Sequence, residues 1–100
     1  MQTYQQFLLD NEEKLDLYTQ AIAKVHRKNH PEVKEVKALY EQLLSQVKAG
    51  APQSDVTKTF DQLSEVTQAY QIPSDTCETF EAVYLDLAQA DQLYRRELAV

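Results

Sequence analysis

Apolar residues recur along this chain at intervals of three and four, and the pattern is broken at three places. In the first stretch, Tyr4, Leu8, Leu15, Tyr18, Ile22 and Val25 lie three, four or seven positions apart, which puts them on one helix face. Asn11 is the polar interruption of that stripe. Thr3 can cap a helix start, and so can Asp10, which has Glu13 three residues on. The helix therefore begins at Thr3 or restarts near Asp10. The stretch closes on Arg27-Lys28-Asn29-His30, cations suited to the partial negative charge of terminal helix carbonyls. Pro31 then fits the first turn of a second helix, where a missing N–H costs nothing, with Glu32 beside it at the positive end of the dipole.

The second stripe, Val33, Val36, Tyr40, Leu43 and Val47, is the most regular. It stops at Ala49-Gly50-Ala51-Pro52, which holds the chain's single Gly. Ser54 or Asp55 is expected to cap a third helix carrying Val56, Phe60, Leu63, Val66 and Tyr70. After Gln71-Ile72-Pro73, Ser74 or Asp75 is expected to cap a fourth, Asp75 having capping-box spacing to Glu78. That helix carries Cys77, Phe80, Tyr84, Leu87, Tyr94 and Leu98, with Asp91 on the same stripe. The pattern predicts helices at roughly 3–27, 31–49, 54–70 and 74–98. Short connections make consecutive helices antiparallel neighbours. The predicted fold is all-α, an up-down-up-down antiparallel four-helix bundle, with a three-helix array and a frayed N-terminus as the alternative.

Composition narrows the function. A chain of 100 residues suits one domain spanning residues 1–100. One Gly and three Pro are too few for an all-β fold with its many tight turns. A net charge of −6 disfavours nucleic acid and anionic membrane surfaces as partners and favours solubility. Cys77, alone, cannot form an internal disulfide, which fits a reducing compartment. The first residues have neither a basic region nor an apolar run of signal-peptide or membrane-span length. The expectation is a cytoplasmic chain, either whole or one domain of a longer protein.

The candidate chemistry is sparse. His26 and His30, the two histidines, stand four apart and can share a metal from one helix, although Pro31 disturbs the turn between them. The alternative is a helix-terminal and a loop histidine. A phosphotransfer histidine is disfavoured, because both lie at a helix end. Cys77, in the first turn of the fourth helix, is a possible reactive thiol activated by the helix dipole, or a small buried hydrophobe. Asn11 and Asp91 are either a buried polar pair or residues at the rim of the stripe. The six tyrosines mostly fill the helix stripes. There is no phosphate loop, Ser/His/Asp set or Cys-x-x-Cys.

Two segments carry a family resemblance. Val25-His26-Arg27-Lys28-Asn29-His30-Pro31-Glu32-Val33 resembles the V-H-x-x-x-H-P-E-[LV] segment of hemerythrin-like iron–sulfur cluster repair proteins, the "repair of iron centres" family. Leu63, Val66, Thr67, Tyr70, Pro73, Cys77, Thr79 and Tyr84 resemble its later segment. The resemblance runs from about Tyr4 to Leu98 and implies a four-helix bundle that in the family holds two irons. His26 matches a metal-binding His. The family's other ligand positions fall on Gln5, on Gln46 and Gly50, on Gln53, and near Glu97. Glutamine cannot replace imidazole for iron. The resemblance therefore implies a non-enzymatic, metal-free relative without cofactor, acting through protein interaction or regulation on an unknown protein partner, with a homodimer as one candidate assembly. The alternatives are an iron-binding repair protein with an atypical site of His26, His30 and Glu97, with Asp91 or Cys77 as a further ligand, and a generic helical dimerisation domain.

Overall fold

The computed structural model describes residues 2–99. Its elements are five α-helices: α1 (Tyr4–Asp10), α2 (Glu12–Val25), α3 (Glu32–Ala49), α4 (Gln53–Val66) and α5 (Glu78–Leu98). Among the described residues there is no strand, and no helix is long and apolar enough to cross a membrane.

Both predicted starts in the first stretch are partly realised. Thr3 caps α1, its hydroxyl accepting from the Gln6 N–H at 3.1 Å. The helix is then interrupted at Asn11 rather than capped anew by Asp10. The Asn11 side chain donates to the Phe7 carbonyl at 2.8 Å, competing for an acceptor that a straight helix reserves for its own backbone. The Asn11 N–H still reaches Phe7 O and the Leu15 N–H reaches Asn11 O, so the chain bends without reversing.

The α3 terminus follows the expected pattern. Gly50 takes the left-handed conformation at φ 67°, and the Ala51 N–H turns back to Gln46 O at 2.9 Å. Three boundaries are corrected. Helix α4 starts at Gln53 with Pro52 as its cap residue, so neither Ser54 nor Asp55 caps it. It ends at Val66, not at residue 70. There the Thr67 hydroxyl donates to Leu63 O at 2.7 Å and accepts from the Tyr70 N–H at 2.9 Å, closing the helix. Gln68, Ala69 and Tyr70 then all carry positive φ, between 53° and 62°. Helix α5 starts at Glu78 with Cys77 as its cap residue, later than the predicted residue 74. The Asp75 carboxylate that was to cap it is turned toward His30 instead.

Buried residues of all five helices form one cluster, with Leu8, Leu15, Val33, Val36, Leu43, Phe60, Leu63, Val83 and Leu87 fully enclosed. Each such side chain contributes about 1.5–3 kcal/mol relative to exposure. Tyr4, at the start of α1, donates its N–H to Glu97 Oε2 near the end of α5, at 2.8 Å. His26, just past α2, meets Cys77 at the start of α5. The α1–α2 segment and α5 thus run in opposite directions. Polar struts tie the other neighbours: Tyr40 to Asp16 at 2.8 Å, Gln46 to Thr59 at 2.9 Å, and Arg95 to Asp61 at 2.8 Å.

Candidate functional site

At one end of the molecule, the α2–α3 corner and the segment before α5 bring five polar side chains together. His26 Nε2 lies 3.2 Å from Cys77 Sγ. His30 Nε2 lies 2.9 Å from Asp75 Oδ1, and its Nδ1 lies 3.1 Å from Glu32 Oε2. The Phe80 ring packs edge-on against both imidazoles, with centroids 5.2 and 5.3 Å away.

A carboxylate faces each nitrogen of His30, and only the doubly protonated ring satisfies both. The hydrogen bond to Asp75 is the main cause that raises the His30 pKa, with Glu32 adding to it and partial burial opposing it. The same bond lowers the Asp75 pKa. Cys77 is exposed, not the buried hydrophobe that its place on the stripe suggested, because the helix begins one residue after it.

Glu97 does not join these residues. Nearly the whole of α5 separates it from Cys77, about 30 Å at 1.5 Å per residue. His26, His30 and Glu97 therefore do not form one site. Asp91 is also elsewhere, accepting from Tyr70 and Arg95. It is buried, 8% exposed, whereas Asn11 is half-buried and bonded to its own helix, so the two are not a pair. Among the described residues, no group of three or more His, Cys, Asp or Glu is placed to hold a metal ion.

At the opposite end, α1, α4 and α5 enclose a cleft of about 400 Å³, lined by Tyr4, Gln5, Gln53, Tyr94 and Glu97 among others. Three of the positions that the family resemblance assigned to iron ligands thus surround one space. Their chemistry does not suit iron. Gln5 and Gln53 offer neutral amides, and one oxygen of Glu97 already accepts from the Tyr4 N–H. Gln46, at a fourth such position, accepts from the Thr59 hydroxyl as a strut between α3 and α4. Gly50, at a fifth, is the left-handed helix terminator.

Sequence reasoning missed Asp75 and Glu32 as partners of His30. Both suit the positive end of a helix dipole by sequence position, and no spacing links position 30 to position 75. No protein-family model, curated protein or solved structure matches the chain.

Proposed function

We propose that this chain is a non-enzymatic, metal-free helical module of hemerythrin-like, up-down-up-down four-helix architecture, acting through protein interaction or regulation. The carrying observation is that Gln5, Gln53 and Glu97, distant in sequence, line one cleft. A resemblance without physical content has no reason to choose three positions that meet in space. At those positions the side chains are amides and an occupied carboxylate, and at Gln46 and Gly50 the residues serve packing and chain reversal. The interior around them is closed by stacked and edge-on rings of Tyr4, Phe60 and Tyr94, 4.9 to 5.9 Å apart. In this reading, α1 and α2 together make the first of the four antiparallel rods.

The reading is tested by anaerobic loading with ferrous iron, followed by elemental analysis. The native chain should retain no stoichiometric iron, and two irons per chain would overturn the proposal. A variant carrying Gln5→His, Gln46→His and Gln53→His should gain iron binding at this end. If it does not, the assignment of these positions to the former metal centre fails.

The second reading, iron binding at an atypical site, draws on the closeness of His26 and Cys77. An unchanged iron content in His26→Ala would end it.

A further inference from the structure

A second cleft, of about 340 Å³, opens beside His30, between the α3 start, the α4 end and α5. Its volume lies within the range of small-molecule sites. It shares no lining residue with the cleft of Gln5 and Glu97.

Three observations mark it. First, Tyr84 lines it while only 1% exposed, and among the described residues its hydroxyl has no hydrogen-bond partner. A phenol oxygen that reaches a cleft without a protein partner bonds water there, and a ligand's acceptor can take that water's place. Second, part of the wall is the turn beginning at Gln68, where three consecutive non-glycine residues hold positive φ. L-residues hold that conformation only under backbone strain, and such backbone concentrates at binding sites. Third, the cleft floor is charged in a particular way. His30 already faces Asp75 and Glu32, so the imidazole has no nitrogen left to offer, and two carboxylates against one imidazolium leave a net negative charge. An anion is repelled there. Glu32 Oε1 remains free to accept, and the Gln68 and Gln71 side chains stand at the exposed lip.

We propose that this cleft binds a small uncharged amide, the Tyr84 hydroxyl donating to its carbonyl oxygen and the Glu32 carboxylate accepting from its NH2 group. The carbonyl satisfies the unpartnered phenol, and the NH2 meets the surplus negative charge. Val66 and Pro73 supply the apolar contact for the remainder of the molecule.

Benzamide and benzoate are the probes, titrated into the uniformly 15N-labelled chain at pH 6 and followed by two-dimensional NMR. Benzamide is expected to shift amides of residues 30, 32, 66–71 and 84 saturably in the millimolar range, and benzoate to leave them unmoved. Tyr84→Phe keeps the ring and the fold and should weaken benzamide about five- to tenfold, the worth of one neutral hydrogen bond. Glu32→Gln should reduce the discrimination between the two probes. Gln71→Ala, on the exposed lip, should weaken benzamide without disturbing the core. Shifts absent from these residues, equal binding of benzoate, or unchanged affinity in both Tyr84→Phe and Gln71→Ala would overturn the proposal.

Discussion

The Tyr70 hydroxyl donates to Asp91 Oδ2 at 2.6 Å, fastening the left-handed turn after α4 to the inner face of α5. Asp91 also accepts from Arg95 Nε at 2.8 Å. Burial, and then Asp91, push the Tyr70 phenol well above its ordinary pKa, so it remains a donor throughout the neutral range. Tyr70→Phe removes one bond and leaves Asp91 its arginine. The expected loss is about 1–2 kcal/mol of unfolding free energy. Urea denaturation measures it, and an unchanged midpoint would show that the bond contributes nothing.

The contacts of His30 with Asp75 and Glu32 make stability depend on pH. The His30 pKa is raised above 6.5, so its contribution is complete below pH 6.5 and is lost as pH rises through the folded-state value. The Asp75 pKa is lowered below 3.8, so its contribution is present above that value and is lost as pH falls through the folded one. The tie is strongest between those limits. NMR titration of the His30 ring should give a midpoint above 6.5, and Asp75→Asn should move it down. Amide exchange at residues 71, 72 and 74–77, corrected for intrinsic rate, should quicken above the midpoint in the native chain and show no such step in His30→Gln.

Cys77 is exposed beside an imidazole and directly before the first turn of α5. An imidazole nitrogen 3.2 Å from the sulfur is placed to take the thiol proton as the sulfur attacks. Alkylation by iodoacetamide at pH 7 should therefore slow several-fold in His26→Ala, with little change in His30→Ala, since His30 is held by carboxylates. Equal rates in all three chains would mean that the imidazole does not activate the sulfur.

Left-handed backbone gives a matched pair of substitutions. Gly50 sits at φ 67° with open space where a Cβ would stand, so Gly50→Ala costs about 1 kcal/mol from backbone strain alone. Ala69 sits at φ 60° on the surface, so Ala69→Gly should stabilise by about 0.5–1 kcal/mol. Thermal unfolding of both variants checks the opposite signs. Destabilisation by Ala69→Gly would mean that the turn holds no strain.

The order of amphipathic segments and much of the core were legible in the residues. Period-3.6 stripes such as Val33, Val36, Tyr40 and Leu43 record which face is kept from water, and local chemistry at Thr3 and Gly50 sets ends that need no distant partner. What depends on distant partners was not legible. Asp75 had the spacing of a helix cap, but His30, 45 positions away, offered a charged donor. Tyr70 continued a helical stripe, but Thr67 and Asp91 drew it into a turn. Glu97 and His26 were grouped by residue type, and helix length placed them at opposite ends. The gathering of Gln5, Gln53 and Glu97 around one cleft likewise exists only after folding, because spacing reports faces within a helix, whereas a site is a meeting of faces between helices.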